Sequence, residues 1–351
     1  MGKSRKKLDL EKLYLPCIAI IIAFFIASCV ILVSGFSPVD VLASIFDGAF
    51  GSVSSFLNTL SRMTPILMTG LAYAVSSRAG LVNIGIEGQF CAGAFTAVLV
   101  GLNMEEIPPF LHCAAAILAG TAVGAVCGAF VALMKVKFHA HEFITSIMFN
   151  MIVLYVTSFF VSGPLKEEGD MAQTKLVHDS ARLTMLSERA QLSVGIIMAV
   201  ILALLLYYLA EHTVYGYELK ISGLSAQAAK FSGINVTGAV LKAMVLSGAV
   251  AGLGGAVYLL GSFGRYVDGF SPGFGYDGIA VSALANGNPL GCILSALLFG
   301  GLKAGSVKLN IMTRIPVEFV DLIQAIIIIL ISAPLLTRSF TSVFKRKKGA
   351  E

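Results

Sequence analysis

The strongest constraint on this chain is its succession of long apolar runs, which leave little polar sequence between them. Of its 351 residues, 57% are hydrophobic and only 13% are charged, whereas a typical soluble domain carries about 25% charged residues. So few charges cannot cover the surface of a soluble globule of this size. Disorder is excluded as well, because it requires low hydrophobicity and high charge. The sequence therefore predicts an all-α, polytopic transmembrane helical bundle.

The apolar runs predict the number and the positions of the helices. Because a helix needs about 20 apolar residues to cross a bilayer, the chain accommodates about ten crossings. We predict them near 13–33, 61–79, 84–103, 110–134, 142–162, 191–210, 238–261, 276–286, 289–306 and 316–336. Residues 37–60 are weakly amphipathic and are expected to lie on the outer face or to dip into it.

The basic residues predict the orientation of the bundle. They cluster in the two end segments, 1–12 and 338–351, and segments rich in Lys and Arg favour the cytoplasmic side. Both termini are therefore predicted to be cytoplasmic, which requires an even number of crossings. This threading places 16 of the 25 basic residues in the cytoplasm. It also makes 163–190 an extracytoplasmic loop and 211–237 a cytoplasmic segment.

Two apolar segments are interrupted by Gly and Asn, one in each half of the chain, at 83–89 and at 286–289. Interrupted helices at corresponding places indicate an inverted repeat with a translocation pathway at its interface. For the second segment, a tight turn between two helices is an equally good interpretation. Glu87 has a structural alternative too, since its carboxyl group could accept backbone N–H groups of a broken helix. The candidate pathway residues are Asn83, Glu87, Gln89, Asn286 and Asn288.

Two stretches carry a resemblance to a known family. The run RAGLVNIGIEGQ at 78–89 and the run GYDGIAVSALANGNPLG at 275–291 resemble hallmarks of permease subunits of ABC importers for branched-chain amino acids, simple sugars and nucleosides. The resemblance covers about 60–335 and is closest to the nucleoside-type members. It implies a single permease domain over 1–351 in the bacterial cytoplasmic membrane. Simple sugars and branched-chain amino acids remain alternative substrates, and an ion-coupled secondary carrier is a rival of another class.

The chain has no ATPase motif of its own. It contains no GxxxxGK[ST] sequence, the loop that cradles nucleotide phosphates. We therefore expect a transport subunit rather than an enzyme, with no cofactor or metal in this chain and with ATP and Mg²⁺ in a partner. The resemblance implies a cytosolic ABC ATPase, a second homologous permease and an extracytoplasmic substrate-binding protein or lipoprotein as partners. Membrane lipid is the remaining expected partner, and we predict no binding of nucleic acid.

The cytoplasmic segment 211–237 is predicted to couple the chain to the ATPase. Its residues 223–234 resemble the motif with which the family docks on the ATPase, and on a helix the small residues at 226, 229 and 233 share one side. We expect this side to contact the ATPase, whereas an ordinary amphipathic surface helix is the alternative. The predicted coupling residues are Glu218, Gly223, Ala228, Ala229 and Gly233.

Overall fold

The computed structural model describes residues 22, 24–26, 28–29, 31–33, 35–103, 108–313 and 318–332. Helices make up nearly all of its regular structure, so the all-α prediction is confirmed. The helices are α1 Pro38–Phe50, α2 Val53–Arg78, α3 Ile86–Asn103, α4 Pro109–Phe138, α5 Glu142–Ser162, α6 Gly195–His212, α7 Val214–Leu224, α8 Ala226–Phe231, α9 Val236–Tyr258, α10 Phe274–Leu284, α11 Pro289–Thr313 and α12 Glu318–Ser332. The predicted tails 1–12 and 338–351 and much of the predicted first helix lie outside the described residues.

Several helix bounds agree with the apolar runs to within a few residues, and two differ by about two turns. Helices α3, α4 and α5 correspond closely to the runs at 84–103, 110–134 and 142–162. Helix α2 begins at Val53 instead of 61, because Gly51 and Ser52 interrupt the helix and nothing between 53 and 60 does. Helix α11 continues past 306 to Thr313 for the same reason, since this stretch lacks Gly and Pro.

Six of the described helices are long and apolar enough to cross a membrane. They are α3, α4, α5, α6, α9 together with the π turn Leu259–Phe263, and α11, and the pair α1 and α2 would make a seventh. The predicted crossing at 276–286 is too short to span by itself. Helix α10 has 11 residues, so it is only about 16 Å long, against a hydrocarbon core of about 30 Å. The count of ten crossings and the location of the termini stay predictions.

The described residues form two compact units, one within 57–300 and one within 1–56 together with 301–351. In the larger unit, α4 and α9 approach through glycines. A Cβ atom added to Gly124 would lie 2.3 Å from the carbonyl oxygen of Gly248, and one added to Gly252 would lie 2.4 Å from that of Gly120. Glycine at these positions is what lets the two backbones pack so closely. Helix α3 joins them, because Gly93 on α3 contacts Gly252 in the same way.

In the smaller unit, α1 packs against the C-terminal part of α11. A Cβ atom on Gly305 would lie 2.5 Å from the carbonyl oxygen of Ile45, so glycine again allows the close approach. Lys308 of α11 forms an ion pair with Asp47 of α1. The two helices are thus held together by close backbone packing and by one charged contact.

The long polar segment between α5 and α6 is folded. The strands β1 Met185–Ser187 and β2 Leu192–Ser193 pair antiparallel. Upstream, the backbone N–H of His178 donates to the carbonyl oxygen of Gly101 at 3.1 Å, and that of Thr174 donates to Tyr266 at 2.9 Å. These bonds fix the predicted extracytoplasmic loop 163–190 to the end of α3 and to the segment that precedes α10.

Candidate functional site

At the break between α2 and α3, buried polar side chains form a hydrogen-bonded network that is centred on Asn83. The amide nitrogen of Asn83 donates to Oε1 of Gln89 at 3.0 Å and to Oγ of Ser247 on α9 at 2.9 Å. Its oxygen accepts the backbone N–H of Gly85 at 3.1 Å. The side chains of Asn83 and Gln89 are fully buried. Non-helical backbone at membrane depth is tolerated only where protein or a water-filled cavity satisfies its polar groups, and here protein groups do so.

Asn150 of α5 holds the other side of this break. Its Oδ1 accepts the backbone N–H of Gly88 at 2.9 Å, and its Nδ2 donates to the carbonyl oxygen of Ile84, also at 2.9 Å. The residue is fully buried. Our sequence reasoning missed it, although a signal was present: an amide in the middle of an apolar span is costly unless it has a partner.

Glu87 caps a helix that lies far away in the sequence. Its Oε2 accepts the backbone N–H of Gly275 at 2.6 Å, in the first turn of α10. The first N–H groups of a helix have no partner within the helix, and its N-terminus favours negative charge. A Cβ atom on Gly275 would lie 2.5 Å from the backbone nitrogen of Glu87, so this contact requires glycine. The structural alternative for Glu87 thus takes a specific form, in which its carboxyl group caps α10. A role of Glu87 in the translocation pathway stays a prediction.

The other two candidate pathway residues lie on a tight turn between α10 and α11. Asn286 and Gly287 have φ angles of 51° and 70°, the left-handed region that Asn and Gly adopt most readily. The side chain of Asn288 accepts the backbone N–H of Leu290 at 3.0 Å and so starts α11. Both asparagines are exposed. Among the described residues, no hydrogen bond joins them to Asn83 or Gln89.

Asn286 also borders an open cavity of about 480 Å³. The cavity lies where the C-terminal ends of α2, α7 and α10 come together. Its lining includes Tyr73 and Ser77 of α2 and Lys220 of α7. The cavity therefore presents hydroxyl, amide and ammonium groups next to the predicted coupling segment.

The predicted coupling segment consists of two short helices, α7 and α8, joined at Ser225. Ser225 ends α7, and its Oγ accepts the backbone N–H of Ala228 to begin α8. Ala229 is completely buried within the chain, so it does not offer its side chain to a partner. The expectation of an outward side chain is therefore wrong for Ala229, because a small residue suits a close approach by any neighbour, including the chain itself. Ala226 and Gly233 are exposed, and a coupling role of this side stays a prediction.

The remaining predicted coupling residues have different positions. A Cβ atom on Gly223 would lie 2.7 Å from the backbone nitrogen of Gly80, so its backbone packs against the end of α2. Gly233 follows α8 with a φ of 77°, Ala228 is exposed and Glu218 is half-buried. The large exposed apolar side chains of the segment are Val214, Tyr217, Leu224 and Phe231. Leu224 and Phe231, at 75% and 95% exposure, are the last residues of α7 and α8. They were not selected from the sequence, and they are apolar groups that a partner could cover.

Helix α7 is anchored to the bundle by an apolar cluster. Leu219 is buried there with residues of α4 and α9 and with the end of α2, and Tyr215 packs against them. Burial raises the pKa of Tyr215 to about 12, so its phenol stays neutral at physiological pH. The buried members of the cluster are Ala79, Leu81, Val131, Ala132, Leu219, Ala239, Ala243 and Met244. The described residues contain no group of three or more His, Cys, Asp or Glu that could hold a metal ion.

Comparisons with known proteins agree with this architecture. The family model described as the branched-chain amino acid transport system permease component matches residues 55–332. The guanosine ABC transporter permease protein NupP of Bacillus subtilis is 35% identical, over 97% of this chain and 99% of its own length. The nucleoside ABC transporter permease protein NupB of Lactococcus lactis is 30% identical, over 97% and 96%. The glucose ABC transporter permease protein TsgB13 of Haloferax volcanii is 27% identical, over 90% and 85%.

The comparison with solved structures found no match for the chain. The family match nevertheless covers most of the sequence, including both stretches that carried the resemblance and the whole of the larger compact unit. The helices that are long and apolar enough to cross a membrane lie within the matched range. This chain therefore belongs to the family of ABC importer permease components and is a multi-pass membrane protein.

Proposed function

We propose that the chain is the permease subunit of an ATP-driven ABC importer that translocates nucleosides. The observation that carries this substrate class is the nearly full-length similarity to a permease named for guanosine, with a second relative named for nucleosides. Simple sugars are the second candidate, because a relative named for glucose also matches most of the chain.

The chemistry of the site supports a neutral, polar substrate. The buried groups around the break are amides and a hydroxyl, those of Asn83, Gln89, Asn150 and Ser247. The carboxyl group of Glu87 is bonded to the N-terminus of α10, so it does not have to serve as the counter-charge of a cation. We propose that the cavity beside Asn286 is the cytoplasmic end of the pathway. Its tyrosine, serine and asparagine side chains can exchange hydrogen bonds with the hydroxyls and base of a nucleoside.

The segment 211–237 is proposed as the contact with a cytosolic ATPase, which would bind ATP and Mg²⁺. Leu224 and Phe231 supply apolar contacts, since both are largely exposed at the C-terminal ends of the short helices α7 and α8. Large apolar side chains of this kind commonly dominate the energetics of protein interfaces. We further propose a second homologous permease and an extracytoplasmic binding protein as the remaining subunits.

Transport by the reconstituted complex tests this proposal. The chain would be reconstituted into liposomes with its ATPase, second permease and binding protein, and uptake of labelled guanosine would be measured with and without internal ATP. We expect ATP-dependent accumulation that unlabelled nucleosides suppress and that glucose and leucine do not. Accumulation of glucose or leucine instead would overturn the substrate class. Uptake that an ion gradient drives without the ATPase would overturn the ABC mechanism.

A further inference from the structure

Arg78, the last residue of α2, holds the corner between α6 and α7. Its guanidinium donates to Oε1 of Glu211 at 2.8 Å, to the carbonyl oxygen of Ala210 at 2.5 Å and to that of Gly216 at 3.3 Å. The first two acceptors are at the end of α6 and the third is in the first turn of α7. The side chain of Arg78 is only 16% exposed. Arg78 therefore ties both sides of the corner at which the predicted coupling segment leaves the bundle, in addition to the local bonds of Thr213.

The backbone that follows Arg78 contacts the opposite end of α7. Gly80 has a φ of 71°, and a Cβ atom built on it would lie 3.0 Å from the Cα of Gly223. A Cβ atom on Gly223 would lie 2.5 Å from the carbonyl oxygen of Arg78. Between these points, Leu81 is buried in one cluster with Leu219. The residues 78–81 are thus attached to α7 at its first turn, in its middle and at its end.

The same stretch leads directly into the polar break. Asn83 bonds to Gln89 and to Ser247 of α9, and Glu87 caps α10. Residues 78–87 therefore connect α7 to α10 by unbroken covalent chain with a packed or hydrogen-bonded contact at each end. If α7 moved while residues 78–87 stayed in place, the hydrogen bonds of Arg78 would break.

We propose that Arg78 is a positioning residue for energy coupling, which transmits movement of the α6–α7 corner to the polar break and to α10. This inference rests on the proposed role of 211–237 as the ATPase contact. An arginine suits the task because its rigid planar group presents several donors to separate acceptors, whereas a lysine is a point charge on a flexible stem. Lysine at position 78 would therefore keep the positive charge and lose the planar geometry of the donors.

The test compares Arg78→Lys and Glu211→Gln with the wild-type complex. Amounts of assembled complex, ATP hydrolysis and labelled guanosine uptake are measured on the same proteoliposomes, and the result is expressed as substrate transported per ATP hydrolysed. We expect both variants to assemble and hydrolyse ATP. We expect Arg78→Lys to lower transport per ATP about tenfold, a factor that corresponds to about 1.4 kcal/mol. Glu211→Gln keeps a hydrogen-bond acceptor and should show a smaller loss in the same direction.

The ion pair between Lys135 and Glu142 offers a matched control. Its N–O distance is also 2.8 Å and it is also partly buried, but it joins α4 to α5 and not to the coupling segment. Glu142→Gln should leave transport per ATP unchanged. The inference is overturned if Arg78→Lys keeps the wild-type ratio, if it lowers only the amount of complex, or if Glu142→Gln lowers the ratio equally. If Arg78→Lys fails to assemble, an unchanged ratio in Glu211→Gln overturns it. A wild-type complex that transports no guanosine would instead refute the proposed function.

Discussion

The Oε2 atom of Glu87 lies 2.6 Å from the backbone nitrogen of Gly275, although 188 residues separate them in the sequence. The carboxyl group at the start of α3 thereby completes the N-terminus of α10, and Oγ1 of Thr69 donates to the carbonyl oxygen of Phe274 at 2.8 Å beside it. Helix α10 is too short to span the membrane, and these contacts with α2 and α3 position its first turn together with the local cap, in which Oγ of Ser271 accepts the backbone N–H of Phe274 at 3.2 Å. The two stretches that identified the family meet at this point.

Removing the carboxyl group of Glu87 should destabilise the chain. Glu87→Ala leaves the buried N–H of Gly275 without this acceptor, and an unsatisfied buried polar group costs about 1–3 kcal/mol. Glu87→Gln keeps an oxygen at the same place and should lose less. Thermal unfolding of the purified variants in detergent measures the difference. Equal unfolding temperatures for Glu87→Ala and wild type would show that the cap does not contribute to stability.

Asn150 should contribute to stability and uptake as much as the residues of the stretch 78–89, to whose backbone it bonds. In Asn150→Leu, the N–H of Gly88 and the carbonyl oxygen of Ile84 both lose their partner, and each loss costs about 1–3 kcal/mol. We expect a strong fall in unfolding temperature and in uptake. Asn103→Leu is the control, because Asn103 is exposed and its side chain bonds to the carbonyl oxygen of Leu99 in its own helix. Similar losses in both variants would contradict the role assigned to Asn150.

The glycine contacts between α4 and α9 should not tolerate a methyl group. In Gly124→Ala, the new Cβ atom would lie 2.3 Å from the carbonyl oxygen of Gly248, so the helices must separate. Overpacking of this kind costs about 1–3 kcal/mol. At Gly301 of α11 the nearest atom would be 3.5 Å away, and Gly301→Ala should be neutral or stabilising because alanine favours helix. Denaturation of the two variants side by side tests the contrast, which a loss of stability in both would contradict.

The exposed apolar side chains at the C-terminal ends of α7 and α8 should contribute to ATPase binding. Leu224→Ser and Phe231→Ser should each reduce the ATPase that co-purifies with the complex, since a buried apolar side chain contributes about 1.5–3 kcal/mol. Leu186→Ser is the control, because Leu186 is also exposed but lies in the predicted extracytoplasmic loop. Ala229→Trp should destabilise the chain itself, because Ala229 is buried within it. Undiminished co-purification from both serine variants would place the ATPase contact elsewhere.

The predicted orientation can be checked by labelling from outside the cell. In a variant without native cysteines, Gly169→Cys should react with a membrane-impermeant maleimide in intact cells, whereas Ser232→Cys should react only after lysis. Both positions are exposed, so accessibility within the chain does not bias the comparison. Gly169 lies in the loop 163–190 and Ser232 follows α8. Labelling of both from the outside would invert or break the predicted threading.

The sequence by itself determined the class of protein and several helix bounds. The apolar runs end at the polar or Pro-containing sequences 139–141 and 104–108, and α4 and α5 end or begin beside them. A membrane-spanning run can be recognised without knowing which helices pack beside it, because the bilayer sets its length and its composition. The two family stretches were likewise recognisable from residues adjacent in the chain, and the family match includes both.

Only the tertiary structure decided which residues meet. Glu87, Asn150 and Arg78 each bond to groups 62 to 188 residues away, and a residue's type indicates that it needs a partner without indicating which one. Ala229 illustrates the same limit for apolar residues. A small side chain permits close packing, but it does not indicate whether the neighbour is another protein or the chain itself. Hydrogen bonds and steric contacts act over a few ångströms in space. The chain neighbours that a sequence pattern compares are therefore different from the spatial neighbours that fixed the polar break, the cap of α10 and the corner at Arg78.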